Sequence, residues 1–249
     1  MSTATPNPWL KGILYRLTGG EVLTGPFTGL RYGRFSVGSA YGAKLLGTYE
    51  LELGPVVRRL LRHPWAQVID IGAAEGYYAV GWARFGQGAE AHTEPHVIAF
   101  EIESNGREAI AGMAEGNGVG SRISIRGRCE PSDLRTALLT THGAALVICD
   151  VEGYEEVLLD PVDIPELAQT HILAEVHDAM VPGVGEILHQ RFAKTHQIER
   201  VDARERTSAD FPREVNWSSL VSARWRARLM AEHRPPGMYW YLMTPIGQS

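Results

Sequence analysis

Two short stretches in the second half of the chain carry the residues best suited to chemistry. Residues 144–150, A-A-L-V-I-C-D, run directly into V-E-G-Y, and residues 172–176 run into an E-V-H-D ending. Both runs are apolar and largely β-branched or aliphatic, the texture of buried parallel strands, and both end in ionisable side chains. In an extended strand, residues two apart face one side. Asp150 and Glu152 are therefore expected together, with Glu175 and His177 together on the next strand. Close carboxylates repel one another and persist beside a cation, a proton or strong donors. Two chemistries follow from these residue types. His177 suits a general base near neutral pH, with Asp150 as a substitute base or as the group that orients the ring. Asp150, Glu152 and His177 also supply the oxygen and nitrogen ligands that Mg²⁺, Mn²⁺ or Fe²⁺ accepts, and such an ion lowers the pKa of a bound hydroxyl. The expected catalytic group is His177, Asp150 and Glu152.

The element that must position them is residues 68–83, V-I-D-I-G-A-A-E-G-Y-Y-A-V-G-W-A, which reads as strand, glycine turn and helix. Gly72 and Gly76 let a ligand approach the backbone, and the free N–H groups opening the helix favour an anionic group. No G-x-G occurs in the turn, and Asp70 lies two residues before Gly72, where it would repel a pyrophosphate. A ligand with a cation beside its carboxylate is favoured instead, and S-adenosylmethionine is such a ligand. Residues 97–100 form a second apolar strand ending in Glu101, whose carboxylate can accept both ribose hydroxyls. Expected cofactor contacts are Asp70, Gly72, Ala73, Glu75, Gly76, Glu101 and Ile102, with Cys129 and Glu130 at a third strand tip and Asp150 at the fourth. Tyr49, in L-L-G-T-Y-E at 45–50, is expected to reach the same ligand.

Length and composition narrow the class. A chain of 249 residues buries a full core and, with one strand-turn-helix pattern, reads as one large domain. A formal charge of −5 argues against a surface built for nucleic acid or acidic membrane, so a small-molecule acceptor is the expected partner. No apolar run has transmembrane length and the first residues lack the regions of a signal peptide, which predicts a cytoplasmic protein. Cys129 and Cys149 are not spaced as a ligand pair, and free thiols are expected. Pro6 and Pro8 predict fraying over residues 1–10. Residues 12–47, rich in glycine with Phe27, Tyr32, Phe35 and Tyr41 between, read as turns and short strands in an N-terminal lid or oligomerisation arm, the latter implying a homodimer. The chain divides into an extension, 1–64, and a cofactor-binding domain, 65–249. Helices are expected at 53–61, 107–114, 133–139, 184–192 and 217–229, with strands at 123–125, 198–201 and 238–244. The polar stretch 204–216 has the character of a loop over a substrate. Arg224, Arg226 and Arg228 fall on the last helix as a solvated face.

The pattern D-x-G-x-x-x-G at 70–76 resembles the first motif of the class I S-adenosylmethionine-dependent methyltransferases. V-I-A-F-E at 97–101, D-V-E-G-Y-E at 150–155 and E-V-H at 175–177 resemble the FkbM-type branch, whose members mostly methylate hydroxyls or amides of small metabolites and sugars. The resemblance covers roughly 66–201. It departs at Ile102, where that branch usually has proline, and in L-L-G-T-Y-E. The resemblance implies an α/β, Rossmann-like fold: a mostly parallel seven-stranded sheet with helices on both faces, closed by a hairpin of its last two strands, plus the N-terminal extension. Two other functions compete: a cofactor-binding regulatory subunit without turnover, and an NAD-dependent Rossmann oxidoreductase, against which the missing G-x-G weighs.

Overall fold

The computed structural model describes residues 8–34, 40–90 and 93–247. Pro6 and Phe35, part of the sequence reading, lie outside the described residues. Nine α-helices and the seven strands of the main sheet, taken in chain order, build the described fold, and two short parallel strands, Pro64–Trp65 and Gln87–Gly88, pair apart from it. Helices α1 (Pro8–Thr18), α2 (Tyr41–Leu46) and α3 (Gly54–Leu61) precede β1 (Gln67–Ile71). Then follow α4 (Tyr77–Phe85), β2 (His96–Phe100), α5 (Ser104–Gly116), β3 (Ile123–Arg126), α6 (Pro131–Leu139) and β4 (Ala145–Cys149). The chain closes with α7 (Glu155–Leu158), β5 (His171–Val176), α8 (Val184–Phe192), β6 (His196–Asp202), α9 (Ala223–Met230) and β7 (Tyr239–Pro245).

The strands lie in the order β3-β2-β1-β4-β5-β7-β6. All pairings are parallel except those of β7, which runs antiparallel to β5 and β6. This is the Rossmann-like class I methyltransferase fold. Chain order reverses between β1 and β4, so a crevice opens there at the C-terminal strand ends.

Alternation along each strand divides the core in two. Val68, Val97, Ala99, Leu146, Ile148 and Leu173 face α3, α4, α5 and α9. Ile69, Ile71, Ile98, Val147, Cys149 and Ile172 face α6 and α8. Helices therefore cover both faces, which is why the strands read as continuous apolar runs.

Three sequence expectations change. Residues 8–18 are helical, since proline is tolerated in a helix's first turn. The stretch 12–47 holds two helices and one isolated bridge, Glu21 with Arg31, where turns and short strands were expected. Its Leu14, Phe27, Leu30, Tyr32 and Tyr41 join the core of the first sheet face. Phe27 meets Tyr77 edge-on at 5.3 Å, and only a glycine at 81 leaves room for that ring, because a Cβ there would lie 2.8 Å from it. The predicted helix 217–229 starts at Ala223, where the Ser222 hydroxyl accepts the Trp225 N–H; Val221 is extended and Leu220 is 85% exposed. No helix of the described residues is long and apolar enough to cross a membrane.

Candidate functional site

The crevice is built by three strand tips. The Gly72 and Ala73 N–H groups both donate to the Phe100 carbonyl at 3.0 Å, and the Asp150 N–H donates to the Ile71 carbonyl at 2.9 Å. The turn after β1 is thus fastened to β2 on one side and β4 on the other. Gly72 (φ 85) allows it: a Cβ there would lie 1.7 Å from the Asp150 carbonyl oxygen. Gly76 (φ 94) sits against Ile110 of α5 and Val80. Both glycines therefore serve close approach of the chain to itself.

Beneath the turn tip Glu101 is fixed by two amides. Its carboxylate accepts the Ala74 N–H at 2.7 Å and the Glu103 N–H at 2.8 Å, and Gly106 leaves it space. It borders a cleft of about 410 Å³, whose lining also includes Gly72, Ala74, Ile102, Cys129, Asp150 and Glu152. That is a volume suited to a small ligand, within the ~300–1,000 Å³ range of such sites. Ile102 is 61% exposed there and presents an apolar surface. Cys129 and Cys149 are both free and buried; burial pushes the Cys129 thiol up to about 12.

Other residues expected at the cofactor lie outside the lining of this cleft. Glu75 is buried on the far side of the turn, where it receives Lys44 Nζ at 2.5 Å and the Tyr32 hydroxyl. Lys44 and Tyr32 hold its carboxyl below the usual range despite burial. Asp70 is buried inside β1 with Oδ2 unpaired, and burial, then the charge of Asp150, push it up to about 7. Glu130 caps α6 in a reciprocal box with Asp133, pairs with Arg128 at 2.7 Å and accepts the Tyr154 hydroxyl at 3.1 Å. Ala73 and Gly76 are buried in the turn. Tyr49 stands next to the acid cluster described below, its hydroxyl accepting Arg234 Nη2 at 3.2 Å.

The predicted meeting of Asp150 and Glu152 is corrected. Strand β4 ends at Cys149, and a turn closed by the Tyr154 N–H to the Val151 carbonyl (3.2 Å) puts Glu152 (φ 54) and Gly153 (φ 103) in left-handed conformations. Alternation no longer applies, and Glu152 is exposed at the cleft rim. The cluster that does form is Asp150, Glu175 and His177, with one ligating atom from each lying within 4.8 Å of the others. His177 is buried; its Nδ1 meets Glu155 Oε1 at 2.5 Å, and its Nε2 lies 3.5 Å from Asp150 Oδ1 and 3.8 Å from Glu175 Oε2.

The surroundings are unusually rich in buried charge. Arg234 contacts Glu50, Glu175 and, at 3.0 Å, Glu232; Arg206 contacts Glu52 at 2.5 Å and Glu232 at 2.8 Å. The Tyr78 hydroxyl donates to the second oxygen of Glu50. Five acids, counting Asp150, thus face two guanidinium groups. Burial and the charge of Asp150 hold Glu175 well above the carboxylate range, so it keeps a proton that it shares with Asp150. Burial lowers His177, but the hydrogen bond and charge of Glu155, with Asp150 and Glu152, hold it above its ordinary value. Burial is also the main reason that Glu232 reaches about 7. Arg206 and Arg234 were not among the expected site residues, whereas L-L-G-T-Y-E offered Glu50 beside Tyr49. E-V-H carried a signal for Glu175, whereas Arg206 and Arg234 arrive from loops with no motif.

No family model and no curated protein matches this chain. Among solved structures it is similar to the C-terminal domain of precorrin-6Y C5,15-methyltransferase from Rhodobacter capsulatus (15% identity, 77% of this chain and 86% of that one, TM-score 0.46). It is similar also to the O-methyltransferase TomG from Streptomyces achromogenes, solved with S-adenosylmethionine (14%, 97% and 92%, TM-score 0.47). A third is the O-methyltransferase from Bacillus cereus, solved with S-adenosylhomocysteine (11%, 97% and 93%, TM-score 0.47).

Proposed function

We propose that this protein is an S-adenosylmethionine-dependent methyltransferase acting on a hydroxyl, or an amide nitrogen, of a small metabolite or sugar, in the manner of the FkbM-type branch. The observation that carries the reading is Glu101, held by two backbone amides at the rim of a cleft that opens where chain order reverses. Each of its oxygens keeps acceptor capacity for a ribose hydroxyl. Gly72, Ala74, Ile102, Cys129 and Asp150 would line the cofactor, which supplies an electrophilic methyl carbon on a sulfonium. The residues fit such a group: the Asp150 carboxyl in the cleft lining favours a cation beside it. His177, with Nε2 facing Asp150, is placed to take the acceptor's proton, and Asp150 to orient the acceptor.

A second reading of the same cluster has its own support, since Asp150, Glu175 and His177 offer two oxygens and one nitrogen close together. They would hold a divalent Mg²⁺, Mn²⁺ or Fe²⁺ ion, which lowers the pKa of a bound hydroxyl. Chelation that stops turnover, with recovery on adding metal, would support it; chelator-resistant activity would leave His177 as the base.

Calorimetry tests the main reading. S-adenosylhomocysteine should bind the wild-type protein with a simple saturable isotherm. A protein that ignores both forms of the cofactor and binds NAD would be an oxidoreductase instead.

A further inference from the structure

We propose that Glu155 is the positioning residue of His177: it keeps the proton of the neutral imidazole on Nδ1 and leaves Nε2 bare toward Asp150. The catalytic consequence rests on the methyltransferase reading above, whereas the tautomer does not.

Three donors converge on one oxygen. Glu155 Oε1 lies 2.5 Å from His177 Nδ1 and accepts the Val151 and Gly153 N–H groups, each at 3.3 Å. The Glu155 side chain is fully buried and its other oxygen has no hydrogen-bond partner. The two amides point inward because the turn between β4 and α7 holds Glu152 and Gly153 at φ 54 and 103. An oxygen that already takes two amide hydrogens acts only as an acceptor, so the ring must present N–H at Nδ1. The backbone fixes the ring from the other side, with the His177 carbonyl accepting the Met180 and Val181 N–H groups at 2.9 Å. Nε2 then sits 3.5 and 3.8 Å from its two acidic neighbours, beyond ordinary hydrogen-bond length, with its lone pair free. D-V-E-G-Y-E and E-V-H are thus one device: the first supplies Asp150, the turn and the orienting Glu155, and the second supplies the ring.

The test reads the tautomer directly. In uniformly ¹⁵N-labelled protein, long-range ¹H–¹⁵N correlations at alkaline pH, where the ring is neutral, should show His177 as the Nδ1–H form; the signals are assigned by their loss in His177→Gln. Glu155→Leu removes the acceptor, and the Nε2–H form should become dominant. Glu155→Gln should restore the wild-type tautomer, because the Val151 and Gly153 amides select its carbonyl oxygen for the Oε1 position. Turnover should follow the tautomer: kcat in Glu155→Leu is expected to fall by about 100-fold or more, with S-adenosylhomocysteine affinity unchanged, and Glu155→Gln to recover most of it. An Nε2–H ring in the wild-type protein, or a folded Glu155→Leu with unchanged tautomer and rate, would overturn the proposal. If Glu155→Leu does not fold, the wild-type and Glu155→Gln spectra decide. Absence of cofactor binding in the wild-type protein would remove the methyltransferase reading and leave the tautomer result standing.

Discussion

Replacing Arg234 with methionine keeps the aliphatic stem and removes a guanidinium that reaches Glu50 and Glu175 together. The side chain is 17% exposed, and Glu50, Glu175 and Glu232 are 1, 5 and 7% exposed. Deleting one partner of a buried ion pair costs about 3–5 kcal/mol, because the other is left charged and unpaired. At ~2–4 °C per kcal/mol for a chain of this size, the melting temperature should drop by ~6–20 °C near pH 8. The pH dependence gives the argument its sharper edge. Glu232 has a folded value of about 7, above the ordinary carboxylate range. Between that range and its folded value, the folded state holds a proton that the unfolded state has released. Stability on this account falls as pH rises through the window. Removing Arg234 takes away a positive charge that lowers Glu232, which widens the window. The deficit of Arg234→Met should therefore be largest near about pH 8 and shrink near about pH 5.5, where Glu232 is protonated in the folded state of both proteins. Thermal melts of both proteins across that range measure it. A deficit below about 1 kcal/mol, or one that is the same at both pH values, would refute the account of Arg234 as the counter-charge of a buried acid cluster.

Three further outcomes are expected. Glu101→Ala should weaken S-adenosylhomocysteine by about 100-fold or more in calorimetry, the loss of two charge-assisted hydrogen bonds at ~1.5 kcal/mol or more each; unchanged affinity would take the ribose role from it. Asp150→Asn and His177→Gln should each lower kcat by about 100-fold or more, and His177→Gln should leave cofactor affinity near wild type, as measured by single-turnover rates beside calorimetry. Gly72→Ala should cost more than about 3 kcal/mol in a denaturant melt, since its Cβ would meet the Asp150 carbonyl at 1.7 Å in a backbone conformation with φ 85. A mild effect would mean that the β1 turn and the β4 tip separate easily.

The strands were legible because burial on both faces writes them as unbroken apolar runs, and β1, β2, β4 and β5 fall within a residue or so of where such runs place them. Glu101 could be read for the same reason: a strand end fixes where its last side chain points. Glu152 could not, because alternation ends with the strand at Cys149, and the turn that follows, with two left-handed residues, reverses the chain. The sequence does hold a hint, since glycine after Glu152 is what such a turn asks for. The helices of the N-terminal segment are not legible because glycines and aromatics suggest loops; its aromatic residues instead pack edge-on against Tyr77 and Tyr78 of α4, a long-range contact that local spacing does not record. Arg206 and Arg234 were invisible for a related reason: each reaches the buried acids from a loop that covers the strand ends, and partners so distant in sequence leave no period.

The account's central claim is methyl transfer, and the most direct test follows the methyl group itself. Wild-type protein incubated with methyl-labelled S-adenosylmethionine and a small-molecule cell extract should place label in a low-molecular-weight product, in amounts that grow with time and enzyme and vanish with Asp150→Asn. Tight cofactor binding with no label in any small molecule or polymer would contradict the claim and leave a cofactor-binding regulatory subunit in its place.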